Sequence, residues 1–175
     1  MTRATTAPDR AAARRASDPA APGARLLRMW ERLHVLPGGR QLFAALLGRM
    51  VPYTGSIGAR IEELAPGRVV ASLRDRRAVR NHLGSVHAVA LVNLGEAVSG
   101  LAVLTVLPPG VRGIVTGLSA EYLRKARGPL RASANAGDSA LATVQEPREV
   151  EIAAEIRDTT GELVARVTAR WRVGP

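Results

Sequence analysis

The stretch from His87 to Leu107, HAVALVNLGEAVSGLAVLTVL, holds a single charged side chain, Glu96, in 21 positions. A segment so apolar has two homes: a bilayer, or the middle of a fold that covers it on every side. An isolated carboxylate is costly in either, so Glu96 must be neutralised, partnered or used. A lone membrane span would carry Asn93, Glu96 and Ser99 inside it, which favours a buried helix instead.

The flanking sequence supplies the cover. Ile57, Ala59 and Ile61 alternate with Gly58, Arg60 and Glu62, the period of a strand, until Ala65-Pro66-Gly67 turns the chain. Val69, Ala71 and Leu73 form the next run. After the apolar segment come Ile114, Thr116, Leu118, Ala120 and Tyr122, and beyond Gly128-Pro129 come Leu130, Ala132 and Ala134. The last two runs alternate most cleanly. Val150, Ile152, Ala154 and Ile156 turn at Asp158–Gly161 into Leu163, Ala165, Val167, Ala169 and Trp171, with charged residues between them. Six half-buried strands make a sheet with one apolar face, and a helix apolar all round is what such a sheet can wrap. The fold class is therefore α+β, an antiparallel sheet around a long central helix.

Two short helices precede it. Leu26, Leu27, Trp30 and Leu33 have helical spacing, Pro37-Gly38-Gly39 interrupts, and Leu42, Phe43, Leu46, Leu47 and Met50 make a second stripe. Residues 1–22 are rich in Ala, Arg and Pro without apolar periodicity and read as a disordered tail with no secretory h-region. The organisation is thus a tail over 1–22, a helical segment over 23–50 and a sheet-and-helix domain over 51–175.

Composition removes several chemistries. With no Cys there is neither disulfide nor thiol catalysis, and His34, His82 and His87 lie in no metal-binding spacing. The net charge of +10 suits an anionic, phosphate-bearing ligand or nucleic acid. The five aromatic residues are scattered, however, and make no stacking platform for single strands. Trp171 and Tyr122 read as core, His34 and His82 as packing or surface residues.

On a helix, Asn93, Glu96 and Ser99 fall at i, i+3 and i+6, a narrow polar stripe. Burial should raise the Glu96 pKa, suiting a general base or nucleophile; alternatively Asn93 and Ser99 simply satisfy the carboxyl. RNHLGSVHA, residues 80–88, leads into this helix, with Ser85 as its expected cap. The amides of Val86, His87 and Ala88 would then be free first-turn donors, fit for an oxyanion. His87 and Glu96, nine residues apart, point to opposite sides of one helix at about 100° per residue. They can meet only if a second subunit supplies one of them across a two-fold axis.

Asn81, His87, Ala88 and Glu96 reproduce the order Asn, five residues, His, a small residue, seven residues, acid. In this the chain resembles the PaaI-type acyl-CoA thioesterases of the hotdog fold. RNHLGSVHA, VPYTGSIGARIEEL and EYLRKARGPL are similar to a hotdog subfamily without an assigned activity, and the likeness runs from Val51 to Val173. It implies hydrolysis of an acyl thioester at a dimer interface. Glu96 would be base or nucleophile, the backbone N–H of Ala88 would hold the oxyanion, and Asn81 and His87 would orient substrate or water. Asn93 and Ser99 would support. From the residues themselves, Arg124, Lys125 and Arg127 would meet the phosphates of coenzyme A or form a solvated basic loop, and Arg77 and Arg80 would do the same or tie down the loop beside Asn81. The family usually carries Gly-Gly after the His where this chain has Ala88-Val89, which narrows the approach to the donor.

The expectation is a cytoplasmic homodimer, or a tetramer of such dimers, acting on acyl-CoA or another acyl thioester. No cofactor is implied beyond coenzyme A within the substrate, and no metal. The rivals are a non-catalytic acyl-CoA or lipid-binding hotdog protein and, more remotely, a basic nucleic-acid-associated protein. The hotdog dehydratases use a different Asp/His arrangement that this sequence lacks.

Overall fold

Six strands, all antiparallel, curve around one long helix in the computed structural model of the chain, which describes residues 21–137 and 141–175. Residues 1–20 of the expected tail lie outside the described residues. Pro22 belongs not to the tail but to the first helix, α1 (Pro22–Leu33), where its fixed φ suits the opening turn. Helix α2 spans Gly39–Met50, with the break at Pro37–Gly38 as the sequence implied. Next comes a one-turn helix, α3 (Pro52–Ser56), just ahead of the residues that the alternation assigned to a strand. Gly58, at a φ of 68°, leads out of it, so β1 runs only over Arg60–Ala65, and Ile57 is a buried cap residue, not a strand residue.

The remaining elements are β2 (Arg68–Leu73), the long helix α4 (Ala88–Leu104), β3 (Arg112–Tyr122), β4 (Leu130–Asn135), β5 (Arg148–Arg157) and β6 (Leu163–Gly174). The sheet order is β1-β2-β4-β5-β6-β3. This is the hotdog architecture. At 17 residues α4 rises about 25 Å, short of a hydrocarbon core of ~30 Å. Among the described residues no helix is long and apolar enough to cross a membrane.

The core lies between the concave sheet face and α4. Leu91, Leu94, Val98 and Ala102 of the helix meet Ala132, Ala154, Ile156, Val167 and Ala169 of the strands, all buried. Small residues on both surfaces allow a close approach. A Cβ at Gly95 would come within 2.4 Å of the Val167 Cβ, so only glycine permits this packing. On the convex face arginines and glutamates alternate in pairs: Arg68–Glu63, Arg131 with Glu62 and Glu63, Arg157–Glu155 and Arg166 with Glu121 and Glu155. Exposed pairs of this kind add little stability, but they cancel much of the basic charge on that face.

The sheet covers only one side of α4, contrary to the expectation of complete wrapping. Val89, Glu96, Ala97, Gly100 and Leu104 remain partly or largely exposed at helical spacing. Of the α2 stripe only Phe43 is buried, edge-on to Trp30 at 5.0 Å between ring centroids. Leu42, Leu46 and Met50 stay exposed. Strand β3 ends the sheet with one free edge. A bulge between Val115 and Gly117 breaks the alternation there, so Ile114, opposite the exposed Arg172, leaves the apolar face. Leu118 and Tyr122, opposite the buried Ala169 and Ala165, face the helix side yet remain 45% and 51% exposed. Tyr122 is thus a rim residue rather than core, whereas Trp171 is buried as expected.

Candidate active site

The open stripe of α4 borders a pocket of about 220 Å³. Glu96, Gly100 and Leu104 form one wall, Leu47 and Val51 the roof, and Trp171 part of the floor. The second helix, α2, and the residues after it therefore roof the cavity. Glu96 is its only ionisable residue. Partial burial raises the Glu96 carboxyl above its ordinary value near 4.5, because desolvation penalises the charged form.

Neither neighbour on the polar stripe relieves that penalty. Ser99 Oγ donates to the main-chain oxygen of Glu96 at 2.9 Å and accepts from Trp171 Nε1 at 3.3 Å. It fixes the indole instead of the carboxylate. Asn93, only 8% exposed, donates through Nδ2 to the Tyr53 carbonyl at 3.2 Å, and its Oδ1 is buried without a partner. Among the described residues no side chain bonds or pairs with the Glu96 carboxyl. The alternative of a carboxyl merely satisfied by Asn93 and Ser99 does not hold.

The start of α4 departs from expectation in a useful way. His87, not Ser85, is the cap: its backbone is extended and its Nδ1 accepts the Val89 N–H at 3.1 Å. A neutral ring accepting there carries its proton on Nε2. Ser85 is buried, and its Oγ has no partner. The Val86 and His87 amides, expected to be free, donate to Ala126 O and Val79 O at 2.8 Å each. The Ala90 and Leu91 amides close on His87 O. Among the described residues that leaves the Ala88 N–H as the first-turn donor without an acceptor, the one the sequence pattern singled out. Val89 stands beside it, 53% exposed, and Tyr122 Oη lies 3.4 Å from Ala88 O.

Asn81 is engaged in shaping the loop. Its Oδ1 accepts from the Leu83 and Ser85 amides at 3.0 and 3.1 Å, so only Nδ2 remains to touch a ligand. The basic loop after β3 is tied to the same corner through the Val86–Ala126 bond. Arg124 pairs through Nε with Glu162 at 2.5 Å, and Arg124, Lys125 and Arg127 are all exposed. Asp75 accepts from Arg80 Nε at 2.6 Å and from the Gly128 amide at 2.8 Å, contacts that hold its carboxyl below the usual range, the Arg80 bond foremost. Arg80 is therefore a tether for the loop. His82 is exposed, and His34 stacks on Trp30 at 5.1 Å.

Within one chain the Ala88 donor and Glu96 are eight residues apart, about 12 Å along the axis. The structure does not bring them together in a single subunit. Among the described residues no three His, Asp or Glu side chains group as a metal site.

The DUF4442 family, a domain of unknown function, matches residues 39–173. Among solved structures, the structural-genomics protein APC5556 is 30% identical, with a TM-score of 0.71 over 85% of this chain and 97% of that one. A Pseudomonas aeruginosa protein of unknown function, described as a probable thioesterase, is 25% identical, with a TM-score of 0.69 over 79% and 96%. A thioesterase from Haemophilus influenzae shares the fold at 18% identity, with a TM-score of 0.61 over 73% and 87%. No curated protein matches the sequence.

Proposed function

The chain belongs to the DUF4442 family, and from that premise we propose that it hydrolyses acyl thioesters, acyl-CoA foremost, as a homodimer with Glu96 as the catalytic acid–base group. One observation carries the reading: an unpartnered carboxyl of raised pKa on the rim of an apolar pocket. A group so placed has no packing role to explain it, and a carboxyl raised above its ordinary range is suited to exchanging a proton with water or substrate. The probable thioesterase with the same fold at 25% identity supports the reaction class.

In the reaction, the Glu96 carboxylate takes a proton from water while the water oxygen bonds to the thioester carbon. The carbonyl electrons move to oxygen, and the partner subunit's Ala88 N–H holds that oxyanion. The tetrahedral species collapses, the C–S bond breaks, and the thiolate recovers the proton from Glu96, giving carboxylic acid and free thiol. Direct attack by the carboxylate, through an anhydride that water then opens, uses the same placement. The separation of about 12 Å between the Ala88 amide and Glu96 within one chain supports a trans arrangement, and the free edge of β3, with Leu118 and Tyr122 bare, is the surface a second copy would cover. Lys125 and Arg127, on the loop fastened beside His87, would take the phosphates of coenzyme A. His87 Nε2–H and Asn81 Nδ2 are the remaining donors at that corner.

Val89 favours a second reading, an acyl-CoA binder without turnover, because its branched side chain crowds the donor amide. Hydrolysis of an acyl-CoA panel separates the two. Wild-type protein should release free thiol, with kcat/KM rising with pH as Glu96 ionises above its ordinary range. Glu96→Gln should lose roughly 10²–10⁴-fold in rate and that pH limb. An undiminished rate in the Gln variant refutes the catalytic role; tight binding with no release by the wild type favours the binder. The nucleic-acid reading loses ground to the paired charges of the convex face.

A further inference from the structure

The pocket beside Glu96 has a shape as well as a wall of chemistry. Along α4 it runs from Glu96 past Gly100 to Leu104, about 12 Å at 1.5 Å per residue. Beyond Leu104 the lining continues to Leu107 and Gly113, where a Cβ would meet Val103 Cγ1 at 3.4 Å, Leu107 Cδ1 at 3.6 Å and the Trp171 ring at 3.7 Å, all ordinary contact distances. The floor is rigid, because Ser99 holds the indole by its N–H. At the near end the position of a Cβ on Gly100 is 2.8 Å from the indole edge and 3.9 Å from Glu96 Oε1. No substrate carbon fits there; the missing Cβ lets the indole pack against the helix and wall the pocket beside Glu96. The roof is different in kind: Leu47 and Val51 come from the N-terminal helical segment, and Leu47 is only partly buried.

We infer that the pocket takes a straight aliphatic acyl chain of about eight carbons, with Leu47 and Trp171 setting its length; this rests on the reading of Glu96 as the hydrolytic group. A cavity of about 150 Å³ holds a benzene ring, and one of about 220 Å³ holds a chain roughly half as large again. Apart from Glu96, Thr54 is the only polar side chain on the lining, so hydroxylated or carboxylated chains would be buried without partners. Each added methylene that enters such a lining improves binding about fourfold until the end wall is met.

The test uses the full chain and a straight series from acetyl-CoA to palmitoyl-CoA, with wild type, Leu47→Ala and Leu47→Trp. Both substitutions lie on a partly exposed helix face, and unchanged thermal midpoints would show that the fold survives. The wild type should peak near octanoyl-CoA, with kcat/KM at least tenfold above the acetyl and palmitoyl thioesters. Leu47→Trp should move the peak to shorter chains by two or more carbons, and Leu47→Ala to longer ones. A flat profile, or a peak that neither variant moves, overturns the inference while leaving hydrolysis at Glu96 intact. If no thioester is hydrolysed, the proposed activity fails instead, and calorimetric binding of the same series decides this point. The same peak and the same shifts support it; affinity independent of length sinks it.

Discussion

The two sides of α4 are built from opposite materials. Toward the sheet stand Leu91, Leu94, Gly95, Val98 and Ala102, all buried, with Gly95 admitting the Val167 side chain where a Cβ would collide. Toward the roof stand Val89, Glu96, Ala97 and Gly100, partly or largely exposed, beside an Asn93 with a bare buried oxygen. One side is close-packed and leaves no polar group waiting. The other keeps a desolvated carboxyl without a partner and a cavity beside it. The sheet side serves the fold, and the roof side is where the proposed chemistry would take place.

Substitutions can break that contrast, and the stability effects should fall in a definite order. Leu94→Ala, on the sheet side and fully buried, should cost about 2–5 kcal/mol in urea unfolding through the cavity it leaves. Ser99→Ala, at the border between the sides, strips the acceptor from Trp171 Nε1 and should cost about 1 kcal/mol by the same measurement. Glu96→Gln should cost nothing, and its thermal midpoint at pH 7 should equal or exceed that of the wild type. The sign follows from the raised pKa. In the wild type the folded carboxyl keeps its proton where the unfolded one has lost it. Stability is therefore lost as pH climbs from about 4.5 through the raised value. The Gln variant lacks this loss, so the gap between the two midpoints should open across that interval and vanish in acid. A Glu96→Gln variant as damaged as Leu94→Ala would erase the distinction between the faces.

Much of this was legible before any coordinates. Alternation over Val150–Ile156 and Leu163–Trp171 fixes the hairpin, since one wet and one dry face demand period two. The apolar run fixes α4, and the single acid within it marks the site. What stayed hidden depends on neighbours distant in sequence. Capping rules favour Ser85, yet Ser85 is drawn into the loop that Asn81 organises, and the cap falls to His87. The bulge at Val115/Gly117 has no signature in hydrophobicity and turns Ile114 off the apolar face, while Tyr122 keeps that face but stays exposed because β3 is an edge strand. The helix at Pro52–Ser56 is one turn long, too short to show an apolar period, although Pro52 at its first turn is a usable signal. That Ser99 serves the indole rather than the carboxyl needs the strand carrying Trp171, 72 residues away.

The central claim is that Glu96 of one subunit works with the Ala88 amide of the other, and mixing two disabled variants tests it most directly. Ala88→Pro removes that N–H alone. Proline is tolerated at a first helical position, and the extended His87 before it suits a following proline. The Glu96→Gln and Ala88→Pro proteins should each be inactive toward octanoyl-CoA. Unfolded and refolded together, they should recover about a quarter of wild-type activity, because half of the dimers are mixed and each holds one intact site of two. Full activity in Ala88→Pro, or two inactive proteins that stay inactive when mixed in folded dimers, would contradict the account.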